Sequence, residues 1–141
     1  MGSRRKIGRK RAVKPRTSYG LQTGSRINIA DNSGAKIALI IMVDGYKGRL
    51  NRLAKATVGS LVTVTIKKGR PELKGTIVKV VIVRQRRIYR RIDGSRLCFE
   101  DNAGVIITME GDPKGTEIRG PIAREAAEIF PRLASISSLI I

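Results

Sequence analysis

The fold is decided by residues 61–83, which read LVTVTIKKGRPELKGTIVKVVIV. Leu61–Ile66 alternates apolar residues with threonine, which is typical of a β-strand with one buried face. Thr76–Val83 is almost entirely β-branched, apart from Lys79, and predicts a second strand. Between them, Lys67–Pro71 combines cations with glycine and proline, as at the tip of a hairpin. These residues therefore predict two paired strands with a basic connection.

Further strands are predicted on both sides of this pair, because short apolar or alternating segments recur between turns rich in Gly, Asn and Asp. They are Arg26–Ile29, Ile37–Val43, Leu97–Phe99 and Val105–Thr108. Several short strands at near-regular spacing favour a small closed or partly closed β-barrel. Closure would also remove exposed strand edges. The sequence thus predicts a mainly β fold.

The C-terminal segment predicts a short amphipathic helix over residues 121–130. Pro121 suits the first helical position, and Pro131 ends the segment. Ile122, Ala126 and Phe130 then lie on one face. We expect a second turn after Pro131. A chain of 141 residues is long enough to enclose one hydrophobic core and does not require a second domain. We therefore expect a basic N-terminal extension over residues 1–18 and a single barrel domain over residues 19–141.

Charge is the dominant feature of the composition. The chain has 29 Lys and Arg against 11 Asp and Glu, and its net charge is +18. So large an excess indicates a polyanionic partner, and nucleic acid is the first candidate. The cations are concentrated in residues 1–18 and 47–91, whereas residues 92–141 are slightly acidic. This division indicates one region that binds phosphate and another that is free for a different partner.

The candidate RNA-binding residues are the cations of the N-terminal extension, of Lys47–Leu53, of Lys67–Pro71 and of Arg84–Arg91, together with Lys36. Five arginines within the eight residues 84–91 would repel one another unless phosphate lay between them. The full set is Arg4, Arg5, Lys6, Arg9, Lys10, Arg11, Lys36, Lys47, Arg49, Arg52, Lys67, Lys68, Arg70, Arg84, Arg86, Arg87, Arg90 and Arg91.

Aromatic residues are too scarce for a broad stacking platform, since the chain has three Tyr, two Phe and no Trp. Proteins that bind single strands without sequence preference usually display several stacking rings. We therefore expect recognition of folded RNA through its shape and backbone.

Catalytic and metal-binding chemistry is not supported by the residue types present. The chain has no His and a single Cys98, which excludes the usual zinc spacings and the His-activated nucleophiles. Cys98 is expected to be a small core residue. Asp31 and Asp101 each begin an Asp-Asn-small-Gly turn, so we interpret them as turn residues. The segment Gly111–Thr116 lacks the Gly-Lys-Ser/Thr ending of a phosphate loop. We predict no enzyme activity, no cofactor and no metal.

No apolar run approaches the roughly 18–20 residues that a membrane-spanning helix needs. The basic N-terminus is not followed by the apolar segment of a secretory signal. One cysteine cannot form an internal disulfide, in agreement with a reducing compartment. We therefore expect a cytoplasmic protein without a membrane partner.

Several segments together resemble the universal large-subunit ribosomal protein L-fourteen family. They are Ala30–Lys36, Phe99–Ala103, Gly120–Glu125 and Phe130–Ser135, in the family's order and spacing. The resemblance runs from about Gly20 to the C-terminus. The basic extension and the loops Lys47–Leu53 and Lys67–Leu73 resemble the archaeal and eukaryotic branch. The chain departs from many relatives at Thr108-Met109, where they carry two Asn residues.

This resemblance implies a five-stranded β-barrel with a small C-terminal helical region. It implies direct binding to large-subunit rRNA, contact with neighbouring large-subunit proteins, and a bridge to small-subunit rRNA across the intersubunit face. Anti-association factors are a further class of partner, docking on residues 110–135. The candidate protein-partner residues there are Lys114, Arg119, Arg124, Glu125 and Arg132.

Two other functions stay open at this point. A free barrel-type RNA-binding protein or RNA chaperone would bind unstructured RNA with little sequence preference, and the few aromatics count against it. An RNA-modifying enzyme would require a nucleophile, base or metal set, and the sequence offers none.

Overall fold

The computed structural model describes residues 17–141, and within them the chain forms eleven strands and two helices. The strands are β1 (Leu21–Gln22), β2 (Arg26–Ile29), β3 (Ala35–Val43), β4 (Lys55–Ala56), β5 (Leu61–Gly69), β6 (Ile77–Arg84), β7 (Tyr89–Arg90), β8 (Arg96–Leu97), β9 (Ala103–Ile107), β10 (Ile118–Ile122) and β11 (Ser137–Ile140). The helices are α1 (Arg124–Ile129) and α2 (Pro131–Ile136).

Five of the strands close into a barrel in the order β2-β3-β5-β6-β9. Neighbouring strands are antiparallel except for β2 and β9, which run parallel and complete the ring. The hairpin predicted from residues 61–83 is β5–β6, with Leu61 opposite Val81 and Thr65 opposite Ile77. The predicted mainly β fold with a five-stranded barrel is therefore confirmed.

The barrel interior is filled by the inward-facing residues of each strand. Along β5 the alternation is regular, since Val62, Val64 and Ile66 are fully buried while Thr63 and Thr65 lie on the outside. The same core receives Ile27 from β2 and Ile40 from β3. Burial of β-branched side chains on a pleated surface is the main source of stability here.

A second core lies outside the barrel wall, on the outer face of β6 and β9. Val81, Val83 and Val105 point into it, and Ile122 and Leu133 from the C-terminal segment cover them. Every residue of β9 is consequently buried. From Val80 onward in β6, and along all of β9, both faces of the strand are removed from water, which explains the almost uninterrupted apolar sequences there.

The predicted helix at 121–130 was wrong in its bounds. Pro121 belongs to β10, which pairs in parallel with β11, and α1 begins only at Arg124. The turn expected after Pro131 is a second helix, with Pro131 at its first position. The sequence predicted a helix start at Pro121, but the backbone before α1 is extended there and forms β10, which pairs with β11.

The short strands β1, β4, β7, β10 and β11 were not predicted from the sequence. Each pairs outside the barrel, in one of three two-stranded sheets. The expectation that Cys98 is a core residue was also wrong. Cys98 is exposed, because β8 ends at Leu97 and the chain leaves the sheet there.

Candidate nucleic-acid interface

The first basic group lies where β3 begins and β5 ends. The two strands pair there, with Ala35 opposite Gly69 and Ile37 opposite Lys68. The backbone N–H of Arg70 donates to the carbonyl of Gly34 at 3.1 Å. The pairing of β3 with β5 therefore brings four cations to one end of the barrel. All four are exposed: Lys36, Lys67, Lys68 and Arg70.

The second basic group is the loop between β3 and β4, which carries Lys47, Arg49 and Arg52. All three side chains are exposed. The loop turns tightly, since the N–H of Arg52 donates to the carbonyl of Arg49 at 3.1 Å and Asn51 adopts a positive φ of 64°. Leu50, at the tip, is 93% exposed. The loop thus offers three cations around an uncovered apolar residue.

The third basic group was predicted as one cluster over residues 84–91, but the structure divides it. Arg84 is buried at the end of β6 and forms an ion pair with Asp101 at 2.9 Å. Its Nη1 donates to the carbonyls of Arg119 and Pro121 at 2.8 and 3.0 Å. The guanidinium therefore fastens β10 to the barrel, and its donors are directed to protein atoms.

Arg91 is likewise directed inward. Its Nε donates to Oε1 of Glu125 at 2.8 Å, and its Nη2 donates to the carbonyl of Ile141 at 2.6 Å. The hydroxyl of the buried Tyr89 donates to Oε2 of the same carboxylate at 3.2 Å. Burial, followed by the charge of Glu125, raises the pKa of Tyr89 to about 12. Hydrogen bonds to Glu125 also raise the pKa of Arg91.

The other three arginines of this segment are exposed. The backbone N–H of Arg86 donates to Oδ1 of Asn102 at 2.9 Å, which leaves its side chain in solvent. Arg87 donates from Nη1 to the carbonyl of Tyr19 at 3.0 Å. Arg90 lies on β7 and is exposed. Mutual repulsion within this segment is therefore relieved in part inside the protein, by Asp101 and Glu125.

Exposure and pairing together separate the candidate cations. Within residues 17–141 the chain forms four ion pairs, and they involve Lys79, Arg84, Arg91 and Arg132. The ten remaining candidates in this part of the chain are exposed and have no carboxylate partner there: Lys36, Lys47, Arg49, Arg52, Lys67, Lys68, Arg70, Arg86, Arg87 and Arg90. The candidates Arg4, Arg5, Lys6, Arg9, Lys10 and Arg11 lie outside the described residues.

Of the five residues expected on the protein-partner surface, four are exposed and one is buried. Lys114, Arg119, Arg124 and Arg132 are exposed, and Arg132 pairs with Asp112 at 2.6 Å. Glu125 is buried, so its expected place on that surface is corrected. The carboxylate is turned toward Arg91 and Tyr89 because α1 packs its first turn against β7.

The two turn aspartates have different roles. Asp31 accepts from the N–H and hydroxyl of Ser33 through Oδ1, at 3.2 and 2.6 Å, which is the turn role predicted for it. Its Oδ2 also accepts from the N–H of Ile106. The carboxylate of Asp101 instead accepts from Arg84. Neither arrangement is a catalytic carboxylate pair, and no group of three His, Cys, Asp or Glu suited to a metal occurs among residues 17–141.

Sequence reasoning missed Lys55 as a binding candidate. It is a single cation between alanines and belongs to no charge cluster. Its strand β4 pairs with β1, with Gln22 opposite Lys55, and this brings it to a cleft of about 610 Å³ that Tyr19 and Arg87 also line. The position depends on pairing between segments more than thirty residues apart, so no local signal could have revealed it.

Within the part of the chain that the structure describes, neither short helix is long or apolar enough to cross a membrane. A comparison with protein-family models identifies a match over residues 20–141 to the family described as ribosomal protein L14p/L23e. The match covers the barrel, both helices and the C-terminal strand.

Proposed function

Because this chain belongs to the ribosomal protein L14p/L23e family, it is a structural component of the large ribosomal subunit, and we propose that it binds large-subunit rRNA directly through its exposed cations. The observation that carries the proposal is the set of ten exposed candidate cations without a carboxylate partner among residues 17–141. Unpaired Lys and Arg release counterions from RNA when they neutralise its phosphates, which favours binding. Arginine in addition binds phosphate in a bidentate manner.

The shape of the cation surface supports folded RNA as the ligand. The three exposed groups lie at strand ends of one closed barrel or in its connections, so the barrel limits how far their spacing can change, which suits a structured RNA backbone. The extension over residues 1–18 adds eight cations and no acid, and we propose that it also contacts rRNA.

The C-terminal part is proposed as the protein-facing region. Residues 92–141 hold five cations against eight acids, in contrast to the basic middle of the chain. Exposed side chains at Lys114, Arg119, Arg124 and Arg132 are available to neighbouring large-subunit proteins, to the bridge with small-subunit rRNA and to anti-association factors. The place of action is the cytoplasmic ribosome, and the basic extension favours the archaeal and eukaryotic branch.

Sedimentation of the tagged full chain from its native lysate, at moderate and then high salt, tests this function. Stable migration with the large subunit at both salts is the expected result. Release into light fractions at moderate salt, with mixed RNAs bound, would instead support a free RNA-binding protein. Identification of the associated RNA separates the two outcomes.

A further inference from the structure

We propose that the cleft beside Tyr19 is a subsite for one unstacked nucleotide, whose base stacks on the Tyr19 ring and whose phosphate lies at Lys55 and Arg87. The inference rests on the proposed binding of rRNA and extends it from the phosphate backbone to a single base. Unpaired bases that project from folded RNA commonly stack on aromatic side chains of proteins.

Tyr19 is the one exposed aromatic residue among residues 17–141. Its side chain is 48% exposed, whereas Tyr46, Phe99 and Phe130 are partly buried and Tyr89 is fully buried. An isolated apolar residue on a surface needs no explanation by itself. Tyr19 differs because its backbone is held on both sides, so the ring is presented from a fixed position.

The backbone around Tyr19 is anchored to two barrel connections. Nε2 of the fully buried Gln85 donates to the carbonyl of Ser18 at 2.9 Å. The N–H of Gly20 donates to the carbonyl of Ala56 at 3.2 Å. Ring orientation is then limited to side-chain rotation, which lowers the entropy lost when a base stacks on it.

Gly20 allows this segment to pass close to the arginine that lines the cleft. A Cβ at position 20 would lie 3.1 Å from Cβ of Arg87 and 3.1 Å from Cδ of Gln85. The short approach places the carbonyl of Tyr19 within hydrogen-bond reach of Nη1 of Arg87, at 3.0 Å. The guanidinium is therefore held at the cleft that Tyr19 also lines, and none of its remaining hydrogen-bonding capacity is used by residues 17–141.

The charge of the cleft favours an anion. Its lining includes Lys55 and Arg87 and no carboxylate. A second cleft, of about 570 Å³, provides the comparison, because its three cations face Asp93, Glu125 and Glu128. Of these two clefts, the one beside Tyr19 alone combines an uncompensated positive charge with an exposed ring. That combination matches a nucleotide, which has a π-face and a phosphate. An acidic peptide would use the cations but would leave the ring without a partner.

The test compares two substitutions of the ring in the full-length chain. Deproteinised large-subunit rRNA is the probe, and filter binding is measured over a range of salt concentrations. We expect Tyr19→Leu to weaken binding by about 5- to 50-fold, since stacking on one base is lost. Tyr19→Phe keeps the ring and should stay within about twofold of the native protein.

Salt dependence distinguishes stacking from charge. Tyr19→Leu should leave the slope of log K against log salt unchanged, whereas Lys55→Gln should reduce it by the equivalent of about one neutralised phosphate. Ultraviolet cross-linking to the same rRNA should place a nucleotide on the tryptic peptide spanning residues 17–26. Both Tyr19 variants should have the same melting temperature as the native protein, because the ring is half exposed and contributes little to the core.

Three results would overturn the inference. If Tyr19→Leu binds rRNA as well as the native chain does, the ring contacts no base, although the proposed rRNA binding survives. If that variant binds rRNA normally but is absent from large subunits in cells, the cleft holds a protein neighbour. If the native chain itself does not bind rRNA, the proposed function fails together with the subsite.

Discussion

Residues 84–91 contain two kinds of arginine that the sequence does not distinguish. Arg84 and Arg91 are turned into the protein, where each is paired with a carboxylate and a main-chain carbonyl. Arg86, Arg87 and Arg90 are exposed and have no carboxylate partner among residues 17–141. A dense run of cations is therefore not equivalent to a phosphate-binding surface. Only part of such a run is available to RNA, and the rest fastens the C-terminal segment to the barrel.

The difference arises from where the acidic partners are. Asp101 follows Arg84 by 17 residues, and Glu125 follows Arg91 by 34. A carboxylate at such a distance in sequence gives no local signal. The two internal ion pairs also differ in burial, since Asp101 keeps a side-chain exposure of 33% and Glu125 only 7%.

The largest effect on stability is expected at Arg84. Arg84→Ala leaves Asp101 without its cation and removes the donors to the carbonyls of Arg119 and Pro121. We expect a loss of about 2–4 kcal/mol in the free energy of unfolding, since one partner of a largely buried ion pair is deleted. Urea denaturation of the free protein measures the change. Arg86→Ala, two residues away and exposed, is the matched control and should shift stability by less than about 0.5 kcal/mol. Equal effects of the two substitutions would remove the distinction between the two kinds of arginine.

A smaller effect is expected at Glu125. Glu125→Gln keeps the shape of the side chain but removes the charge that Arg91 and Tyr89 share. We expect a loss of about 1–3 kcal/mol, because the guanidinium of Arg91 is mostly buried and is left without a counter-charge. Glu128→Gln, on the exposed side of the same helix, should leave the unfolding midpoint nearly unchanged. A neutral result at Glu125 would mean that the pair contributes no net stability.

The smallest effect at neutral pH is expected for Tyr89→Phe, about 0.5–1.5 kcal/mol for the removal of one hydrogen bond. Its pH dependence is more informative. Because the pKa of Tyr89 is raised from 10.0 to about 12 in the folded chain, its contribution to stability is complete below pH 10 and is lost as the pH rises toward 12. Alkaline titration followed by tyrosinate absorbance should show a step near pH 12 that is absent from Tyr89→Phe. A native titration without that late step would contradict the burial of the Tyr89 hydroxyl beside Glu125.

Local sequence pattern was sufficient for the barrel strands, because period-two alternation and β-branched runs depend on neighbouring residues. Leu61–Ile66 is the plainest case, since its alternation indicates directly which face is inside. It was not sufficient for β10, where Pro121 suggested a helix start. The pairing of β10 with β11 requires contact between segments about 18 residues apart, which periodicity does not describe.

The candidate site was predictable to a similar extent. Clustering of charge identified Lys47–Leu53 and the basic end near Arg70, because an unpaired run of cations has a strong local signature. It also included Arg84 and Arg91, because their long-range pairing inside the protein leaves no such signature. The family resemblance likewise placed the buried Glu125 on the protein-partner surface. Lys55 was missed for the opposite reason, as its neighbours in sequence are apolar.

We propose that the exposed arginines of residues 84–91 bind rRNA and that the internal ones do not. The most direct test is the salt dependence of filter binding to deproteinised large-subunit rRNA, for Arg86→Ala/Arg87→Ala/Arg90→Ala beside Arg84→Met. The exposed triple variant should bind more weakly and reduce the slope of log K against log salt by roughly one for each phosphate that is no longer neutralised. Arg84→Met is measured under conditions in which the variant is folded. It should keep the native slope of log K against log salt. A native slope in the triple variant, or a reduced slope in Arg84→Met, would contradict the claim.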